Sequence, residues 1–324
     1  MPIRAEVLHR TGVAGISVNR SSRIWFLGAT IGLTCLACQG VGPRAVVRRS
    51  NYVFEFGDNA LEVDPSDGGR TLSLSVAGRS VVVSRDESPE AYGSSFWPSP
   101  QSDWAWPPPA SFDKLAWRAS IDGATLVLES ATDPKLELSA TQRISAQPER
   151  GAFRFELTLH NHGAQARRVA PWQNTRMRPS GLTFFPSHEA MQSDAKHQTE
   201  PRAGLIWFLH DPHARTDGEK FFDDGEEGWL AQLAGDLLFV KTFPDVPKTA
   251  QAPKEAEIEL YADGAGRFVE VEQQGAYVEL APGQSSRWVV HWAARRVPAN
   301  IARAPFDPGL VAFARSVARE IQGN

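Results

Sequence analysis

The chain has 324 residues, a formal net charge of -4 and 42% hydrophobic residues. Its basic and acidic side chains are interspersed, which excludes the one-sided cationic footprint of a nucleic-acid binder. The two cysteines, Cys35 and Cys38, both sit near the N-terminus, so the remainder has no disulfide and no thiolate for metal binding or nucleophilic attack.

In chain order the first signal is an address. Arg20 and Arg23 precede an uncharged run over 24–33, which ends in Cys35-Leu36-Ala37-Cys38-Gln39-Gly40. A basic flank, a short apolar stretch and small residues mark an export signal. The run falls well short of the ~20 apolar residues that a spanning helix needs. The segment is similar to a bacterial lipoprotein signal, in which a Cys after a small residue is lipidated and becomes the new N-terminus. Cys38, after Ala37, fits that role better than Cys35, after Thr34; an ordinary secretory signal cut nearby is the alternative. The expected organisation is a signal over 1–38, a basic tether over 39–50, one β domain over 51–297 and an extension over 298–324. Membrane contact is expected through the lipid anchor, at the cell envelope.

The body reads as strands and turns. Strands are predicted at 52–56, 60–63, 71–76, 81–83, 117–121, 125–129, 136–140, 153–159, 205–208, 230–233, 237–242, 257–261, 268–272, 277–280 and 287–292. Phe153, Phe155, Leu157 and Leu159 alternate with Arg154, Glu156 and Thr158, as a strand with one buried face requires. Asp122-Gly123 is a hairpin turn between two such runs. No helical pattern separates the strands, which argues against parallel βαβ units and for an all-β antiparallel sandwich or barrel. Leu310, Phe313, Val317 and Ile321 recur at helix spacing, so a short helix is predicted at 308–321.

Ten tryptophans are many for this length, and only Trp25 lies in the signal. Trp97, Trp104 and Trp106 fall in a stretch over 92–109 that also holds five prolines, Gln101 and Asp103. The prolines read as breakers of any helix or central strand. One reading is a sugar platform: a pyranose has an apolar C–H face that stacks on indole, and hydroxyls that seek amide and carboxylate partners. The other is a lid whose indoles plug the end of the sandwich. Trp172 and Arg176 occupy a second unusual segment over 170–186, where Arg176 is a donor for hydroxyls or a carboxylate, or a surface residue with a counter-ion. Lys220 or Lys241 reaches a ligand site, and Lys241, ending an apolar strand, suits an acidic ligand. His210-Asp211-Pro212-His213 and the acidic run over 217–227 lack the spacing of a metal site. No phosphate-cradling glycine loop and no Gly-x-Ser-x-Gly elbow occur, so neither a cofactor nor a metal is expected.

Trp97-Pro98-Ser99-Pro100-Gln101 with Trp104-Ala105-Trp106-Pro107-Pro108 resembles an uncharacterised bacterial domain family of the galactose-mutarotase-like superfamily, as do residues 172–186, Phe268-Val269-Glu270-Val271-Glu272 and 280–283. The resemblance covers roughly 51–297. It implies a supersandwich of antiparallel sheets with a sugar-binding cleft. Aldose mutarotases of that superfamily use a carboxylate on a late strand, in a Glu-x-Gln pattern, and a histidine acid. Glu272-Gln273-Gln274 fits the pattern, which makes Glu272 the implied base. Glu270 lies two residues earlier and shares its face in a regular strand. Two such carboxylates raise each other's pKa if they face a cleft; the alternative points both to solvent. The family's histidine has no counterpart at 169–174, and its earlier arginine and paired-histidine motifs are also missing. His188, after Phe184-Phe185-Pro186, is the nearest substitute for the acid. Three functions follow: carbohydrate binding, a sugar-active enzyme of epimerase or lyase type, or a structural envelope protein that packs its tryptophan loop against a partner.

Overall fold

The computed structural model describes residues 43–187, 198–211, 213 and 218–323. Cys38 and His188 lie outside the described residues. Two antiparallel sheets make up the domain. Along the first, neighbouring strands run in the order Val46–Arg48, Asn51–Phe56, Asn59–Asp64, Arg70–Val76, Ser94–Ser99, Arg167–Met177, Val269–Gln274, Ile258–Ala262 and Glu219–Asp223. The short strands Arg79–Ser80 and Val278–Leu280 add to Arg70–Val76 and Arg167–Met177. The second sheet runs Gln198–Arg202, Leu205–His210, Gly181–Pro186, Trp229–Ala234, Leu237–Thr242, Ser285–Arg296, Ala152–Asn161, Leu138–Gln147, Thr125–Glu129 and Arg118–Asp122. The architecture is the expected antiparallel β-sandwich with a short C-terminal helix.

The alternation read from the sequence explains the layering. Phe153, Phe155, Leu157 and Leu159 point into one core with Phe54, Leu61, Phe239 and Trp292, and every one of these is essentially inaccessible. Phe56 meets Phe153 across the sheets at 5.0 Å, and Trp292 lies against Phe155 at 4.6 Å. Burial of each such ring stabilises the fold by roughly 2–3 kcal/mol. A second core forms on the other face of the second sheet, where Phe184, Trp207, Trp229, Leu238 and Val240 receive the helix Pro308–Gln322 through Leu310, Ala314, Val317, Ala318 and Ile321. The result is three layers: sheet, sheet and helix. The outward face of the first sheet is left to form the cleft described below. No helix among the described residues is long and apolar enough to cross a membrane.

Two expectations need correction. Ser94–Ser99, inside the proline-rich stretch, is a central strand between Arg70–Val76 and Arg167–Met177. Its Pro98 stands opposite Pro171. A pair with no N–H on either side occupies a rung that needs no hydrogen bond, so the ladder continues on both sides of it. Within the tether, Val46–Arg48 adds as an exposed edge strand. Val81–Val83 is buried but makes only one bridge, Val82 to Met177.

The helix starts where its chemistry dictates. Asp307 accepts from the Leu310 N–H at 2.8 Å, Pro308 takes the first helical position, and Gly323 closes the end at φ +82°. Asp307→Ala is expected to cost about 1 kcal/mol. In thermal unfolding this reads as a fall in Tm of roughly 2–4 °C, with the near-ultraviolet spectrum of the folded state unchanged.

Candidate functional site

Register places one row of side chains on the outward face of five adjacent strands. Ser95, Trp97 and Ser99 oppose Asn174, Trp172 and Ala170. Trp172, Asn174 and Arg176 in turn oppose Gln274, Glu272 and Glu270. Glu272 and Glu270 oppose Glu259 and Tyr261, which oppose Phe222 and Lys220. Cross-strand partners share a face, so residues more than a hundred positions apart meet on one surface. Together with the proline-rich loop they line a cleft of about 650 Å³, whose lining includes Trp97, Gln101, Trp106, Trp172, Asn174, Arg176, Lys220, Tyr261, Glu270 and Glu272.

The aromatic side of this cleft is a packed cluster with one exposed member. Trp97 and Trp172 cross edge to face at 5.4 Å and 90°. Trp106 sets its edge against Trp97 at 6.3 Å and is 68% exposed, while Trp97 and Trp172 are nearly covered. Trp97 is fixed by its Nε1, which donates to Asp113 Oδ1 at 3.1 Å. Asp113 is gripped by Arg70, whose Nη2 donates to Oδ1 at 2.9 Å. Burial pushes the Asp113 carboxyl up, but Arg70, Arg176 and Lys114 outweigh it and hold it below the usual range.

The polar side centres on Glu272. Its Oε2 accepts from Trp172 Nε1 at 2.7 Å and lies 3.6 Å from the Lys220 ammonium. Lys220 also pairs with Glu259 at 2.6 Å and stands over the Trp172 ring at 4.6 Å. Glu259 accepts from Gln274 Nε2 at 2.6 Å and from Ala256 N at 3.0 Å. Burial raises the Glu272 carboxyl to about 7, with Lys220 pulling down and Glu270 pushing up. Burial also raises Glu259 well above the carboxylate range. Burial pulls Lys220 down, but the two carboxylates outweigh it and keep its ammonium charged. Glu272 Oε1 and both amide atoms of Asn174 are buried and find no hydrogen-bond partner in the protein. These neighbours across one rung supply two acceptors and a donor.

Of the residues singled out in the sequence, Trp97, Gln101, Trp106, Trp172, Arg176, Glu270 and Glu272 line this one cleft. Glu270 and Glu272 face it while Val269 and Val271 face the core. Arg176 pairs with Glu270 at 2.9 Å and donates to Ser95 Oγ at 2.8 Å. Two placements are corrected. Trp104 is not part of the exposed platform: it is 8% exposed, donates to the Pro98 carbonyl at 2.8 Å and buttresses Trp97 and Trp172. Lys241 does not reach the cleft. It belongs to the second sheet, is fully buried between the sheets, donates to Gln273 Oε1 and sits over Trp292. Burial pushes its amine well below the usual value, with Glu272 countering only in part. No histidine lines the cleft among the described residues, and none of their acidic and imidazole groups forms a metal-ligand cluster.

Arg70, Asp113, Asn174, Glu259 and Tyr261 were missed by the sequence reading. For Asn174 a signal exists: it stands midway between Trp172 and Arg176 at strand spacing, and so shares their face. Glu259 and Tyr261 likewise stand two apart on Ile258–Ala262 and share a face, whereas Arg70 and Asp113 are single polar residues with no local pattern.

Because Trp172 donates to Glu272, indole fluorescence reports on that carboxyl. A titration is expected to show a transition centred near pH 7, absent in Glu272→Gln. The native carboxyl is raised above its unfolded value. Its contribution to stability is therefore fully present below the ordinary carboxylate pKa and is lost as pH rises through about 7. Urea unfolding of wild type against Glu272→Gln is expected to show that loss in the wild type only.

Residues 54–295 match the family described as Domain of unknown function (DUF4380). No curated protein matches the chain. A galactose mutarotase-like protein from Lactobacillus casei ATCC 334 is similar in structure, with a TM-score of 0.54 at 9% identity over 76% of this chain and 100% of that one. A galactose mutarotase-like protein from Clostridium acetobutylicum gives 0.52 at 9% identity, over 79% and 99%. Galactose 1-epimerase from Lactobacillus acidophilus NCFM gives 0.50 at 12% identity, over 78% and 98%. At such identities the likeness is one of fold, and fold does not carry activity with it. With most of its length matched, the chain belongs to the DUF4380 family, and it has the galactose mutarotase-like fold.

Proposed function

We propose that this is an exported, lipid-anchored protein of the cell envelope whose cleft binds carbohydrate. One observation carries the binding reading: an exposed indole, Trp106, and unpartnered polar atoms of Asn174 and Glu272 line the same cleft. An indole face suits the apolar side of a pyranose, and the amide and carboxyl suit its hydroxyls. The cleft volume falls within the range of small-molecule sites. Export and lipidation at Cys38 are supported by the basic flank, the short apolar run and the Ala37-Cys38 step. A structural envelope role calls for a broad flat apolar patch; a narrow cleft lined with polar groups favours a sugar.

The second reading is a sugar-active enzyme, favoured by one observation. Glu272, raised to about 7, meets the requirement that a general base titrate near working pH. Ring opening also needs an acid on the other side of the anomeric carbon, and no described cleft residue is an imidazole. Binding is therefore the primary reading.

Titration of tryptophan fluorescence with a panel of neutral mono- and oligosaccharides tests binding. A saturable change is expected, weakened about tenfold by Trp106→Ala, or ~1.4 kcal/mol; no response to any sugar counts against carbohydrate. For the enzyme reading, anomer interconversion is followed by NMR. A rate that falls sharply in Glu272→Gln supports it, and equal inertness of both proteins removes it.

A further inference from the structure

The aromatic groups of the cleft continue beyond what one sugar ring covers. Trp106 meets Trp97 at 6.3 Å and Trp97 meets Trp172 at 5.4 Å. The Lys220 ammonium stands 4.6 Å over Trp172 and 5.6 Å over Phe222, and so links the cluster to the far side. Phe222 is 41% exposed on Glu219–Asp223, the last strand of this sheet. Between the Trp97 strand and the Phe222 strand lie four inter-strand steps, about 19 Å at ~4.8 Å per step. Phe222 lies outside the lining of the cleft but shares the outward face with Lys220, which lines it, so an exposed ring stands beyond each end of a polar floor formed by Asn174, Glu272 and Lys220.

Most cations of the cleft are paired internally. Arg70 pairs with Asp113, Arg176 with Glu270, Arg267 with Asp263 and Lys220 with Glu259, each at 2.6–2.9 Å, and Lys114 lies 3.6 Å from Asp113. An anionic ligand that takes Arg70, Arg176 or Lys220 must displace a carboxylate from a buried pair, which leaves it only the exposed Lys114 and the half-exposed Arg267. A ligand rich in hydroxyls meets no such barrier.

We infer that the cleft takes an uncharged oligosaccharide chain lying across the strands, with Trp106 and Phe222 stacking on its two ends. The inference rests on the carbohydrate reading above and adds ligand length, charge and a role for Phe222. A chain on the order of three pyranose units matches a track several strands wide.

The test is calorimetric titration of the full chain with β-1,4-glucose, α-1,4-glucose and β-1,4-mannose series, from monomer to pentamer, and with oligogalacturonates. At least one uncharged series is expected to gain about tenfold or more in affinity from monomer to trimer and then level off. Phe222→Ala is expected to remove about fivefold from the longer chains and nothing from the monomer, while Phe222→Trp retains the gain. Phe222 is exposed, and the thermal unfolding of both variants checks that they fold. A monomer that binds as tightly as the trimer overturns this inference and leaves the carbohydrate reading standing. Binding of no sugar in any series overturns both. Oligogalacturonates that bind more tightly than every uncharged series overturn the charge assignment, and an unaltered length profile in Phe222→Ala overturns the role of Phe222.

Discussion

Glu272 is withdrawn from water while held between an indole N–H and an ammonium, and the cleft is organised around that constraint. A buried carboxylate without partners is strongly unfavourable. This one has two partners, and they are shared. Trp172 gives it a hydrogen bond and takes Lys220 over its ring, while Lys220 divides its charge between Glu272 and Glu259. Removing any one of the four leaves the others with incomplete surroundings. That mutual dependence explains why a polar floor survives at the centre of a large sheet.

The same arrangement separates scaffold from ligand surface. Inward-pointing residues of the central strands, such as Val271 and Phe96, are committed to the apolar core. Their outward neighbours are free of that duty. Among the polar inward residues, Gln173 accepts from Trp292 at 2.9 Å and Gln273 accepts from Lys241. These two polar ties join the sheets directly behind Asn174 and Glu272, and so fix the depth of the floor.

Much of the fold was legible because it follows from periodicity. The run from Phe153 alternates, and Ala152–Asn161 pairs on both sides in register. The helix at the C-terminus follows from its apolar spacing. The site was legible only in part. Its tryptophans were conspicuous as a cluster, and Glu272 stood out through a family pattern. The central strand Ser94–Ser99 was hidden because proline counts locally as a breaker, and only the tertiary register, which sets Pro98 on a rung without hydrogen bonds, makes it acceptable. Lys241 ends an apolar run, while Lys220 sits within an acidic one. Which one faces the cleft depends on which sheet the strand joins, and that is decided by contacts far along the chain.

The facing prolines have a consequence for alignment. A slip of one residue between Ser94–Ser99 and Arg167–Met177 turns every side chain of the moving strand to the opposite face. It also moves each pyrrolidine ring opposite a residue that has an amide to donate, and breaks a rung the sheet requires. The two rings therefore act as a notch and key. They disfavour every slip of an odd number of residues, and so favour alignments in which both indoles look outward together, penalising errors of assembly at the spot where they do most harm.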